Sequence, residues 1–253
     1  MAGRFEGKVL FATGGASGLA AATANRFATE GGQVAVVDLD IERAGEVAAD
    51  LPGSIALEAN VADETAVKTA VHAAHERLGR IDCVFNAAGH ADFGPVEEWS
   101  YERFNKMMNV HMGGTFLVCR EVIPLMRENG SGSIVNVSSI AALLQQSNNA
   151  PYGAAKGAIL AFSRQLAGDV AADNVRVNVV APGRVISGMT RPLYTKRGGG
   201  DFEKGAAAAA QLNMLKRLGQ AEEIASTVCF LLSDDASFIT ATHIVADGGE
   251  TAM

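Results

Sequence analysis

Tyr152 and Lys156 stand four residues apart in Tyr152-Gly153-Ala154-Ala155-Lys156. On a helix this spacing brings both side chains to one face, within reach of one substrate. Lysine is a fixed cation beside a phenol, so it favours the phenolate and lowers the tyrosine pKa from its reference near ~10. Such a tyrosine can exchange a proton with an alcohol or ketone oxygen at neutral pH. Ser139, thirteen residues upstream, ends an apolar strand, and its hydroxyl can hold the reacting oxygen against the tyrosine. Asn109 is marked out as an asparagine inside a helical stretch, where it is a poor helix former.

Oxidising an alcohol to a ketone removes a hydride from carbon along with that proton, so the chemistry needs a hydride acceptor alongside it. Thr13-Gly14-Gly15-Ala16-Ser17-Gly18-Leu19-Ala20 lies between an apolar strand and an alanine-rich helix. Glycines there let the backbone approach a pyrophosphate, and the helix N-terminus offers free N–H groups and a partial positive charge. Asp38 follows the second strand, twenty-four residues after Gly14. A carboxylate at that place can accept hydrogen bonds from both adenosine-ribose hydroxyls and repels a 2′-phosphate. No Arg or Lys lies in the glycine turn, so the expected cofactor is NAD rather than NADP. Lowering the Tyr152 pKa by about three units takes roughly 4 kcal/mol, which the ammonium and an oxidised nicotinamide together can supply in a low-dielectric cleft.

These residues need elements to position them. Strand-like runs at Val9–Ala12, Val34–Val37, Ile55–Val61, Ile81–Phe85, Ser133–Val137, Val175–Val180 and His243–Ala246 alternate with helical stretches. The helices read as Leu19–Glu30, Ile41–Leu51, Glu64–Leu78, Tyr101–Met126 (with a possible break near Gly113-Gly114), Tyr152–Ala172 and Glu222–Leu232. Alternation of this kind implies right-handed βαβ crossovers and a parallel sheet with helices on both faces, an α/β doubly wound fold. No linker interrupts it, so one domain over 1–253 is expected. The stretch 187–212 breaks the rhythm with the flexible Arg197-Gly198-Gly199-Gly200-Asp201 and a helix-favouring alanine run. It reads as a lid insertion over a site.

Taken jointly, the motifs resemble those of the short-chain dehydrogenase/reductase family over nearly the whole chain. The glycine turn is similar to that family's TGxxxGxG, Asn86-Ala87-Ala88-Gly89 to its NNAG, and Pro182-Gly183-Arg184-Val185-Ile186-Ser187 to its PG motif. Asn109, Ser139, Tyr152 and Lys156 match its catalytic tetrad. The resemblance implies a Rossmann-type, mainly parallel seven-stranded sheet. It makes Tyr152 the general acid/base and gives Lys156 the lowering of its pKa and the nicotinamide-ribose hydroxyls. Ser139 orients the substrate oxygen, and Asn109 holds a water linking Lys156 to a proton relay. The resemblance sets the cofactor against Gly14, Ser17, Gly18 and Leu19 in the turn, Asp38 and Leu39 after the second strand, and Asn60 and Val61 after the third. Asn86, Ala88 and Gly89 follow the fourth strand, and Pro182, Gly183, Val185 and Ser187 the sixth. It also implies a homotetramer (or homodimer) formed through the helices carrying Asn109 and Tyr152 and through the last strand. The sequence departs from the family pattern at Ala20, Ala87, Asn60 and Ser187, and no departure removes a reacting group.

The rest of the sequence narrows the alternatives. Of 253 residues, 21 are Lys or Arg and 28 Asp or Glu, a net charge of −7. That balance argues against nucleic acid or an anionic membrane as the main partner. No apolar run approaches the ~18 residues of a membrane span. Met1 to Thr13 reads as a strand entering a turn rather than a signal peptide. Cys83, Cys119 and Cys229 are odd in number with no CxxC pair, so neither a disulfide framework nor structural zinc is expected, and a cytoplasmic setting follows. His72 and His75 read as a solvated helix face, not a metal site. His90 is a pocket candidate, and His111, two residues past Asn109, points away from it and reads as packing or interface. Pocket walls are expected from 90–95, 140–151 and 189–194. The resulting expectation is an NAD-dependent oxidoreductase acting on a secondary alcohol or its ketone. Two readings compete: a 3-oxoacyl thioester reductase (acyl-carrier-protein or CoA), and a catalytically idle NADH-binding sensor or scaffold.

Overall fold

The computed structural model describes residues 3–253. Seven parallel strands form one sheet in the order β3-β2-β1-β4-β5-β6-β7. They are β1 (Val9–Thr13), β2 (Gln33–Asp38), β3 (Ile55–Glu58), β4 (Cys83–Asn86), β5 (Gly132–Val137), β6 (Val175–Pro182) and β7 (His243–Ala246). The inner strands are bare Val/Ile/Ala/Phe runs because both of their faces are covered. Side chains alternate across the pleat accordingly. Leu10, Ala12, Val34, Val36, Phe85 and Val135 pack into one layer with α1 (Gly18–Thr29), α2 (Ile41–Ala49) and α9 (Ala221–Leu232). Phe11, Ala35, Val37, Val84 and Ile134 pack into the other, beneath α3 (Glu64–Leu78), α5 (Gly114–Asn129) and α6 (Ala150–Val170).

The chain winds from β1 outward to β3, then returns to the far side of β1 to lay down β4. The switch point thus falls between β1 and β4, where a crevice opens at the strands' C-terminal ends. Thr13 Oγ1 accepts the backbone N–H groups of Ala87 (3.2 Å) and Ala88 (3.3 Å) there, tying the two strand ends together.

Three elements differ from the sequence reading. β3 ends at Glu58 rather than Val61, because Asn60 closes a turn by accepting the Ala62 N–H. The helix expected over 101–126 is three pieces: α4 (Tyr101–Met108), a π-turn (Asn109–Gly113) and α5. The stretch 187–212 is not structureless. It folds into α7 (Arg191–Arg197) and α8 (Phe202–Ala210), which bury Tyr194, Ala209 and Leu218 in a small core of their own. The Arg191 guanidinium lies 4.0 Å over the Phe202 ring.

Candidate active site

A cleft of about 770 Å³ lies along the C-terminal ends of the strands. Its floor is the glycine turn. Gly14 has φ +69°, and a Cβ there would stand 3.0 Å from the Ala88 backbone, so only glycine lets the turn lie against the end of β4. The N-cap residue of α1, Ser17, makes no side-chain capping bond, which leaves the first-turn N–H groups facing the cleft free for an anion. Asp38 Oδ2 accepts the Ala16 N–H (3.0 Å) and Oδ1 the Asp40 N–H (3.1 Å). Each carboxylate oxygen retains a second lone pair for a ribose hydroxyl. Among the described residues lining the cleft, the lysines are Lys106 and Lys156, and no arginine is present. A donor-rich turn, a bare helix end and a lone carboxylate fit the pyrophosphate and adenosine ribose of a dinucleotide.

The reacting groups line the other half. Ser139 follows β5 and accepts the Ala141 N–H (3.1 Å) at the start of a short 3₁₀ turn, which aligns its hydroxyl beside Tyr152. Lys156 is buried and donates to Val137 O at 2.9 Å, while Ser138 Oγ donates to Lys156 O at 2.9 Å. These two bonds clamp α6 to the end of β5. Asn86 Nδ2 donates to Asn136 Oδ1 (2.9 Å), and Asn136 Nδ2 to Ser163 Oγ (2.9 Å). This buried line joins β4, β5 and α6 and fixes the helix that presents Tyr152.

Asn86 is therefore a correction. It was expected to touch the cofactor, but it sits inside the sheet and does not line the cleft; its neighbour Ala87 does. Asn109 is a second correction. It is exposed and lies outside the cleft wall. The residue that faces inward is His111, 1% exposed, with its ring edge-on to Tyr152 at 5.4 Å and 87°. Two helical positions span ~200°, so the pair do point apart. The π-turn, with its extra residue, sets which of them faces the site. The other residues assigned to chemistry or cofactor all line the cleft, and His90 joins them. Of the expected pocket walls, Met189 and Thr190 line it, whereas Tyr194 is buried in the insertion. Residues from 94–97 and 141–153 surround a separate cavity of about 560 Å³.

The electrostatics also differ from expectation. Burial pushes the Tyr152 phenol up to about 12, with hydrogen bonding to Ser139 pulling the other way. Burial brings the Lys156 ammonium down to about 7. The ammonium lies 5.7 Å from the centroid of the Tyr152 ring and spends a hydrogen on Val137 O. In the protein alone, desolvation therefore outweighs the attraction that the Tyr-Lys spacing promised.

Comparison with known proteins places these features in context. Residues 14–251 match a family model described as enoyl-(acyl carrier protein) reductase. The chain is 37% identical to levodione reductase of Leifsonia aquatica, covering 98% of this chain and 96% of that one. It is 35% identical to D-threitol dehydrogenase of Mycolicibacterium smegmatis, covering 98% and 94%. A crystal structure of levodione reductase superposes with a TM-score of 0.92 at 35% identity, covering 98% of this chain and 99% of that one.

Proposed function

The chain belongs to the short-chain dehydrogenase/reductase family, and from that premise we propose that it transfers a hydride between NAD(H) and a secondary alcohol or its ketone. Its relatives are dehydrogenases and reductases acting on CH–OH groups, and it is an oxidoreductase of that kind. The observation that carries the reading is that Asp38, the Gly14–Gly18 turn, Ser139, Tyr152 and Lys156 are all walls of one cleft at the sheet's switch point.

In this reading Asp38 selects NAD by accepting the ribose hydroxyls and repelling a 2′-phosphate. Asn60, Val61, Ala88 and Gly89 flank the dinucleotide on the β3 and β4 side, and Pro182, Gly183, Val185 and Ser187 hold its nicotinamide end. When bound, the oxidised nicotinamide supplies the hydride acceptor and a positive charge. Ser139 orients the substrate oxygen, Tyr152 takes its proton as the carbon loses hydride, and Lys156 favours the phenolate. The proton count is fixed: one alcohol yields one ketone, one hydride on the cofactor and one proton to solvent. The stretch 187–212 acts as a lid; Ser187, Gly188, Met189 and Thr190 already border the cleft, and the insertion's own core lets it move as a body.

We further propose a homotetramer (or homodimer) built through α4, α5 and α6, where Phe116 is exposed beside Phe162. The three thiols are buried and free, which fits a reducing cytoplasm. Among the described residues no helix is long and apolar enough to cross a membrane. Similarity to a 3-oxoacyl-(acyl-carrier-protein) reductase of Thermotoga maritima, 35% identical over 97% of this chain, favours one second reading, reduction of the ketone of a 3-oxoacyl thioester; Asp38 weighs against it, since that reaction commonly draws on NADPH. A screen of secondary alcohols, diols and polyols with NAD⁺ and NADP⁺, beside acetoacetyl thioester with NADH and NADPH, separates the readings. Turnover of an alcohol with NAD⁺ supports the first, and turnover confined to the thioester with NADPH overturns it.

A further inference from the structure

Arg184 and Glu250 form the most enclosed ion pair among the described residues, with side chains 13% and 8% exposed, and nothing in the proposed chemistry uses it. The pair is a fork: Arg184 Nη2 donates to Glu250 Oε1 at 2.8 Å and Nε donates to Oε2 at 2.9 Å. Arg184 belongs to the strip 182–187 that follows β6, and the strip alternates. Pro182, Gly183, Val185 and Ser187 face the cleft, whereas Arg184 and Ile186 are not among its walls. Ile186 packs on the small core around Tyr194 and Leu218, and Arg184 reaches the last turn of the chain, Glu250–Ala252. That turn is itself tied down, because Asp247 Oδ1 accepts the Gly249 N–H (2.8 Å) and Oδ2 the Thr251 N–H (2.7 Å). The strip lies directly on it: Gly183 N–H donates to Ala246 O at 3.0 Å, and a Cβ on Gly183 would stand 2.6 Å from Asp247 Cα. Gly219, just past the 187–212 stretch, holds the third side. Its N–H donates to Arg184 O and its carbonyl accepts the Ile186 N–H, both at 2.9 Å. Arg184 is thus where the cofactor-facing strip, the insertion and the C-terminal turn meet.

We propose that Arg184 and Glu250 are positioning residues: through Glu250, the C-terminal turn holds the 182–187 strip at the place where it binds the nicotinamide end of the dinucleotide. The proposal rests on the reading of that strip as the nicotinamide-holding wall. Neither residue touches the cofactor. They act through Gly183 and Val185, the neighbours of Arg184 that do face the cleft. A bidentate fork fixes angle as well as distance. A strip held in place before binding spares the dinucleotide the cost of ordering it. The adenosine half of the cleft, with the glycine turn and Asp38, lies on other strands and does not depend on the pair.

Two ligands separate this role from simple stabilisation: NADH, and ADP-ribose, which carries the adenosine and pyrophosphate but no nicotinamide. Calorimetric titration at 25 °C reads both affinities without turnover, in the wild type, Glu250→Ala, Arg184→Ala and the double variant Arg184→Met with Glu250→Leu. The double variant strands no charge, so it carries the test if a single variant does not fold. The expected result is a loss of NADH affinity of roughly 5–50-fold with ADP-ribose affinity within about twofold of the wild type. The double variant should lose about as much as either single one, because the pair acts as a unit. With an alcohol found in the substrate screen, kcat should fall about tenfold and KM for NAD should rise, while KM for the alcohol holds. Equal weakening of NADH and ADP-ribose, or a lower Tm with NADH affinity unchanged, assigns the pair to stability alone and overturns the proposal. Wild-type NADH affinity in the double variant overturns it too, since only a stranded charge would then have mattered. If the wild type itself binds NADH no more tightly than ADP-ribose, the nicotinamide reading of the strip fails. If it binds neither, the dinucleotide reading of the cleft fails.

Discussion

Replacing Lys156 with methionine removes a buried ammonium while keeping most of its volume. Burial holds this group near 7 against an ordinary 10.5, a shift of about 3.5 units. At about 1.4 kcal/mol per pH unit, the folded state loses about 5 kcal/mol relative to the unfolded one below about pH 7, where the lysine is charged in both states. Against this stands the bond from Nζ to Val137 O at 2.9 Å. Its loss strands a buried carbonyl, at a cost of about 3 kcal/mol. Near pH 6–7 the variant should therefore be about 2 kcal/mol more stable than the wild type. The sign with pH follows from the protons bound. Between 7 and 10.5 the unfolded chain holds a proton on Lys156 that the folded chain has lost, so wild-type stability rises with pH across that window. The variant lacks the rise, and its advantage should reverse to a deficit of about 3 kcal/mol near pH 10.5. The raised phenol of Tyr152 and the raised thiols are common to both proteins and cancel in the difference. Urea unfolding of the two proteins without cofactor, at pH 6, 8 and 10, measures it. A methionine variant less stable than the wild type by the same amount at every pH would mean that the ammonium is well solvated, and the desolvation argument would be wrong.

Asp38→Ala with Leu39→Arg should lower kcat/KM for NAD about 10- to 100-fold and raise it for NADP, as read by steady-state kinetics with both cofactors. The same change takes the acceptor from the Ala16 N–H, so Tm should fall by about 2–4 °C in a calorimetric scan. Asn136→Leu breaks the line from Asn86 to Ser163 and should destabilise the fold by about 2–4 kcal/mol in urea titration, with kcat falling more than dinucleotide affinity. Tyr194→Ala empties the small core of the 187–212 stretch and should speed limited proteolysis at Gly198–Gly200, while the far-UV spectrum of the sheet stays intact.

The doubly wound sheet was legible because each strand is a short β-branched run bounded by turn residues, and each helix fills the gap a parallel crossover needs. The cleft was legible for the same reason: Gly14 and Ser139 fall just past strand ends, Asp38 is the last residue of β2, and Ser187 follows β6 by five residues. What the sequence hid came from local departures in register and from tertiary contacts. The reading over 101–126 assumes a constant 3.6-residue turn, and the π-turn at Asn109–Gly113 breaks that assumption where the inward residue must be named. Asn86 is the last residue of β4 and lies one position too early to reach the crevice. Paired residues buried in adjacent strands, Asn86 and Asn136, were the available signal for an internal hydrogen-bond line. The insertion's helices have no core of the main sheet to lean on; they form because Tyr194 and Leu218 bury each other. The Tyr-Lys spacing correctly brought two groups to one helix face. It could not report how dry that face is, and dryness decides the direction of both pKa shifts.

The central claim is that Tyr152 transfers the substrate proton in a cleft that binds a nicotinamide dinucleotide. Turnover of an alcohol substrate by Tyr152→Phe, with dinucleotide affinity measured on the same sample, tests it most directly. Loss of turnover by at least about 100-fold with wild-type NAD affinity is the expected result. Turnover near that of the wild type, or no dinucleotide binding by either protein, would contradict it.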